Sequence, residues 1–344
     1  MKAIVPVLLF ALAGVLLDPG LVQAQADDEQ VSGSDRLRLE ELSSRWSAAR
    51  TRWSESGLTF EHDTTYILQG VAAGGVTGPR FSKYSNETEI GNTFSGDLRG
   101  TLDTEQAGWW TSGTFSARLQ SRAGRSAVQR AGSVAAVNNE ALFPNVIDRF
   151  DQAVLALTEF TYEHKLSDTV SVYGGLLNTS MGDENAIAGS AQSHSHFLNF
   201  AMLYSAVEDA TTGNAALGAG VNILPSELVS GSFSVYGSQE TAGENPFRNW
   251  HGTTLSTEWT IQHTLRERPG AQTFGFLYGI NVLLTDIAAD PRLVLIDILS
   301  DLPIPAITTN TWAFYYNAHQ FIEGDEEVVG ASSCGGASPM AIPT

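Results

Sequence analysis

From residue 58 onward the chain alternates apolar and polar positions almost one by one. The pattern is cleanest over Thr93 to Arg122. Thr93, Ser95, Asp97, Arg99, Thr101 and Asp103 alternate with Phe94, Gly96, Leu98, Gly100 and Leu102; after the turn Thr104 to Gly108, Thr114, Ser116, Arg118, Gln120 and Arg122 alternate with Gly113, Phe115, Ala117, Leu119 and Ser121. Successive side chains of a strand point to opposite faces, so this stretch predicts a hairpin with one apolar and one charged face. The same period predicts strands over Leu58 to Leu68, Leu155 to Tyr162, Val170 to Leu177, Leu217 to Ile223, Val229 to Tyr236, Leu255 to Ile261, Phe274 to Val282 and Trp312 to Tyr316. Gly74-Gly75, Leu166-Ser167-Asp168, Pro225-Ser226, Gly237-Ser238 and Pro269-Gly270 read as the turns between them. Ala123 to Asp151 loses the alternation, carries Pro144 and reads as a long loop, a type of excursion that often carries function. Upstream the period is helical: Leu39, Leu42, Trp46, Ala49 and Trp53 share one face of a predicted amphipathic helix from Asp35 to Ser56, which Gly57 stops. No helical period follows Gly57, so the fold class is all-β and antiparallel, with a short N-terminal amphipathic helix.

Such strands allow two architectures. A soluble sandwich buries the apolar face against a second sheet. A transmembrane β-barrel turns it to lipid and keeps the polar face for a water-filled lumen. Several segments reach about ten residues, enough to cross a bilayer at a tilt. Tyr and Trp gather near segment ends, where interfacial girdles lie. The barrel is the reading these features favour; a secreted soluble β-sandwich that binds glycans is the alternative.

Composition narrows the function. The formal charge of −19 argues against a nucleic-acid partner, which needs Lys and Arg. Lys2, the apolar run Ile4 to Leu17 and Ala24-Gln25-Ala26 predict a cleaved secretory signal over residues 1–26. The single cysteine, Cys334, excludes an internal disulfide framework. The most apolar later run, Leu293 to Leu302, is interrupted by Asp297 and Asp301 and does not predict a spanning helix.

Several pieces, taken in order, resemble the carbohydrate-selective outer-membrane porins of the OprB type. They are Arg50-Thr51-Arg52, Gly57-Leu58-Thr59-Phe60 and Gly74-Gly75; Leu98 to Phe115 with Trp109-Trp110; Leu157 to Lys165 and Val170 to Asn178; Asp183-Glu184-Asn185, Phe197-Leu198-Asn199 and Trp312 to Ile322. The resemblance spans about Arg36 to Glu327. It implies a sixteen-stranded barrel, monomeric or homotrimeric, in the outer membrane. It also implies passive diffusion of sugars into the periplasm, with no catalytic step and no cofactor. The expected organisation is signal peptide 1–26, amphipathic helix segment 27–57, barrel 58–327 and an aberrant tail 328–344. That tail is glycine- and serine-rich where the family ends on an aromatic strand. Back-translated codons for it read, in the neighbouring frame, as a Trp- and Phe-containing string similar to the family's late strands. A frameshift with the last strands missing is therefore expected.

Candidate chemistry follows from the polar face. Arg99, Arg118 and Arg122 would line a lumen, where guanidinium forks donate to sugar hydroxyls, unless Asp97 and Asp103 pair with them. Glu159 and Tyr173 are further substrate-binding candidates. Trp109 and Trp110, beside a turn, fit interfacial anchoring better than sugar stacking. His194 and His196, with Asp183 or Glu184, have metal-ligand types, but no further His or Cys lies near them in sequence, so no metal site is expected. There is no G-x-S-x-G nucleophile elbow and no Walker-type phosphate loop, so no enzyme is expected.

Overall fold

The computed structural model describes residues 46–72, 89–127, 153–179, 208, 211–247, 250–284 and 307–322. The predicted signal, the first part of the predicted helix, the predicted Gly74-Gly75 turn, residues 128–151 of the predicted loop, His194, His196 and the tail 328–344 lie outside the described residues. So do Asp183 to Asn185, Phe197 to Asn199 and Leu293 to Leu302.

Two compact units divide the chain, Met1–Arg52 and Trp53–Thr344. Residues 46–52 of the first are helical, and the Thr51 hydroxyl donates to the Ser47 carbonyl at 3.1 Å. The second unit begins with helical residues 53–55 and a left-handed Gly57 (φ 79°) that ends the helix. Trp53 packs edge-on against Phe60, with ring centroids 5.5 Å apart.

Ten strands follow: β1 (Leu58–Val71), β2 (Glu89–Asp103), β3 (Gly113–Arg125), β4 (Val154–Ser167), β5 (Val170–Asn178), β6 (Ala215–Ser226), β7 (Val229–Gly237), β8 (Thr253–Leu265), β9 (Arg268–Leu284) and β10 (Ile307–Gln320). They form one antiparallel sheet in strict chain order, each strand paired with its neighbours in sequence. Among the described residues nothing pairs β1 with β10. Every strand predicted from alternation is present, most of them longer than the sequence pattern implies, as expected for spanning strands.

The two rims differ. At one rim the connections are residues 104–112, 168–169, 227–228 and 266–267; at the other they are 72–88, 126–153, 179–214, 238–252 and 285–306. Short turns on one side and long loops on the other are how outer-membrane barrels are built. Three predicted turns move, and in the first of them Leu166 and Ser167 belong to β4 and the turn is Asp168-Thr169. Pro269 and Gly270 belong to β9, and the hairpin turn is Arg266-Glu267, with positive φ at both residues (52° and 63°) and no glycine. Pro225 and Ser226 close β6 beyond a register shift, and the turn is Glu227-Leu228. In these hairpins the pairing register sets the loop length and overrides the local residue preference.

The burial of the sheet is inverted relative to a soluble protein. On one face Tyr66, Leu68, Phe94, Leu155, Phe160, Phe233, Phe276 and Phe314 are exposed. On the other, Thr93, Ser95, Asp97, Arg118, Gln120, Arg122, Thr254 and Thr273 are buried. A monomer in water rarely leaves so large a contiguous apolar surface bare. Among the described residues no second sheet covers it, which removes the arrangement that a sandwich needs.

Candidate functional site: the polar face of the sheet

Register brings the predicted residues into one row. Glu61 of β1 lies opposite Arg99 of β2, Arg99 opposite Arg118 of β3, and Arg118 opposite Glu159 of β4. Paired residues of adjacent strands share a face, so four charges, negative, positive, positive and negative, cross the sheet in line. Glu159 reaches this row because the β3–β4 register shifts between Arg118 and Leu119, leaving Thr158 as an extra residue. Such a bulge re-aims the side chains beside it. Glu159 feels the charges of Arg118 and Arg99 and accepts from the Thr161 hydroxyl at 3.5 Å.

Asp97, one step along β2, organises the row. Arg118 Nε donates to its two oxygens at 3.0 and 2.7 Å, and a terminal nitrogen of Arg118 also meets Oδ2. A terminal nitrogen of Arg99 lies 3.6 Å from the same oxygen. The Arg118 side chain is 1% exposed and that of Arg99 is 23% exposed. Arg118 is thus held by a fork-like pairing, while Arg99 remains the guanidinium that reaches open space. Arg122 is buried two rows along, beyond Gln120 and opposite Val154. Among the described residues Asp103 pairs with no arginine. It accepts from the backbone of Glu105 and Gln106 at 2.9 and 3.0 Å and so shapes the first turn.

Farther round, the same face changes character. Tyr173 of β5 lies opposite Glu163 on one side and Gly220 on the other, and its hydroxyl meets that of Ser234 at 2.7 Å. A side chain at Gly220 would stand 2.5 Å from the Tyr173 ring, so the ring lies flat on bare backbone. Tyr315 of β10 lies over Gly275 in the same way, and its hydroxyl donates to Glu258. Ser171, Asn222, Ser232, Ser256 and Thr260 fill positions between them. Arg99, Arg118, Glu159 and Tyr173 therefore share one face, but Tyr173 stands apart from the charged row.

Part of the β5–β6 connection also lies on this face. Thr254 donates to the carbonyl of Thr211, the Thr211 methyl sits 3.1 Å from where a side chain at Gly279 would start, and Thr212 bonds the Tyr236 hydroxyl. Residues 211–214 thus fold inward over β7, β8 and β9. Alternation could not reveal this, because these contacts come from a segment with no period of its own.

At the short-turn rim the outer face carries aromatics. Trp109 and Trp110 lie 5.6 Å apart, both pack on Phe115, and Trp110 Nε1 donates to the Tyr162 hydroxyl at 2.7 Å. Both tryptophans are about half exposed and point away from the polar face.

No family model matches the chain, and no curated protein matches it. Among solved structures it is similar to the high-pH structure of OprB from Pseudomonas putida. That match has a TM-score of 0.58 and 17% identity, and covers 83% of this chain and 66% of the other. The fold is that of an OprB-type porin. The chain spans somewhat under two thirds of the length of that OprB chain. The low-pH structure of the same protein aligns at a TM-score of 0.40 and 12% identity, over 79% of this chain and 70% of that one. The exposed Phe and Leu rows and the buried Arg and Thr rows lie on opposite faces of the sheet.

Three participants escaped the sequence reading in part. Asp97 entered only as a partner that could occupy the arginines, yet it holds two of them. Glu258 gave no signal, since one carboxylate in an alternating strand is unremarkable until Tyr315 is placed over Gly275. Residues 211–214 gave none at all.

Proposed function

We propose that this chain is an outer-membrane channel through which neutral carbohydrates diffuse passively into the periplasm. The observation that carries the reading is the inverted sheet. Apolar rows face outward, where only hydrocarbon makes them favourable, and a hydrogen-bonding wall faces inward. Both signs of charge are interleaved here: Arg99 and Arg118 share Asp97, with Glu61 and Glu159 at the ends of their row. Such a wall offers guanidinium donors beside carboxylate acceptors, which a sugar hydroxyl can use at once because it both donates and accepts. Contacts of this sort are weak and repeated, as passage requires.

Arg99 is the residue we assign to first contact with the solute, with Arg118 positioned behind it and Glu159 accepting. Tyr173 supplies a hydroxyl and a flat ring farther round the wall. The solute enters past the long loops, and Trp109 and Trp110 anchor the opposite rim at the periplasmic interface.

Liposome swelling tests the reading. Vesicles carrying the protein swell faster in sugars than in charged solutes of equal size; equal rates for both would overturn carbohydrate preference, and no swelling would overturn the channel.

A further inference from the structure

The connection between β7 and β8 is tied to the segment that leads into β6 through one carboxyl group. Glu240 accepts from the backbone N–H of Asn214 at 3.1 Å, of Ala215 at 3.2 Å and of Ala242 at 2.8 Å. Thr241 reinforces the tie, with its N–H and hydroxyl both donating to the Ala215 carbonyl at 2.9 and 2.6 Å. Ala242 is buried in an apolar cluster with Val154, Ala156 and Ala215. Gly213 lies so near Gln239 that a β-carbon there would overlap its carbonyl. On the other side, Thr179 at the end of β5 donates through its N–H to the Asn214 carbonyl and through its hydroxyl to the Gly213 carbonyl. Residues 211–214, which fold inward over Thr254 and Gly279, are therefore held at their C-terminal end by Thr179 on one side and by Glu240 and Thr241 on the other, with Glu240 the one ionisable group among them.

We propose that Glu240 is a proton-operated clasp. While protonated it holds the β7–β8 connection against the lead-in to β6; once ionised it lets that connection go and frees the inward segment. The clasp stands on the contacts above. Its effect on the lumen rests on the channel reading.

The physical basis is a conflict at the carboxyl. Three N–H donors favour its charged form, and burial opposes it. Desolvation of this half-buried side chain is the larger effect, and the group is pushed up from 4.5 to about 7. Among the described residues no charged side chain contributes to this shift. Besides backbone and methyl groups, the elements around it bring the Asn214 amide, the Tyr236 phenol on β7, Glu208 ahead of β6 and Glu244 on its own loop. A carboxyl whose value rises on closure stabilises the closed form at low pH. That stabilisation is lost as pH climbs from about 4.5 through about 7, where the open form already carries the charge.

Hydrogen exchange on the intact protein in micelles tests this. After correction for intrinsic rates, the protection of the Asn214, Ala215 and Ala242 amides falls roughly thirtyfold between about pH 5.5 and 8.5. Amides within the β6–β7 ladder, such as Ser234, stay flat. In E240Q the three amides show no such slope. Unchanged protection in the native chain would overturn the clasp. So would an equal slope in E240Q, or a parallel fall in the β6–β7 ladder, which would mean that the sheet and not the clasp is opening. Because exchange is read without any solute, a pH-dependent clasp in a protein that fails to swell liposomes would sink only the channel. Swelling with flat exchange would sink only the clasp.

Discussion

The inner wall is built twice, in two chemistries. Over β2, β3 and β4 it is ionic, with Arg99, Arg118 and Arg122 set around Asp97 and Glu159. Over β5 to β10 it is mostly hydroxyls and flat phenols, with Tyr173 on Gly220, Tyr315 on Gly275 and one carboxylate, Glu258, taken up by the Tyr315 hydroxyl. The same alternation of residues writes both, and the outer faces of the two regions match. The difference teaches what each chemistry costs. Charges out of water must be paired, so the first region spends its carboxylates holding its arginines. Hydroxyls carry smaller desolvation costs, so the second can leave donors and acceptors to face water and solute.

The sharpest way to break the comparison is to remove the pairing. Asp97→Ala strands the buried Arg118 and is expected to cost about 3–5 kcal/mol, read as a lowered urea midpoint for the folded protein in detergent. The apolar replacement D97L/R118L recovers most of that loss. If D97A folds with native stability, the ionic region is not held by its ion pair.

Next in size is the bare backbone under the tyrosines. Gly275→Ala places a methyl group against the Tyr315 ring and is expected to cost about 1–3 kcal/mol, with loss of the bond to Glu258. The same measurement checks it, and Tyr315→Ser alongside it relieves the clash. Trp110→Phe, outside both regions, keeps an aromatic ring at the rim and loses the donor to Tyr162. It is expected to cost about 1 kcal/mol in the same unfolding assay. The smallest effect on stability is at the solute contact itself. Arg99→Gln changes the urea midpoint little, since the side chain is partly solvated, while sugar-driven swelling slows several-fold and uptake of small cations rises. A swelling rate unchanged by R99Q would move the contact to the hydroxyl region and reverse the assignment of roles.

Much of this architecture was legible in the sequence. Period two located all ten described strands, because a sheet with a hydrocarbon side and a water side must alternate. It also set Arg99 and Arg118 on the polar face. What it missed follows from how sheets depart from ideal alternation. The extra residue at Thr158 brings Glu159 into the charged row, and its only trace in the sequence is a one-residue slip of the apolar positions, from 155 and 157 to 160 and 162. The Arg266-Glu267 turn lacks glycine, so the Pro269-Gly270 pair drew the prediction three residues too far along. The inward course of residues 211–214 and the grip of Glu240 depend on backbone groups, whose positions no side-chain pattern encodes.

The unequal rims carry a last consequence. A two-residue hairpin such as Asp168-Thr169 dictates which residue sits across from which all the way up its strands, so one inserted residue there would shift the whole ladder. At the ragged rim, doubling a connection adds only about 0.6 kcal/mol of closure entropy. Epitopes, tags and added recognition segments can therefore be grafted at one end of this molecule and are excluded from the other.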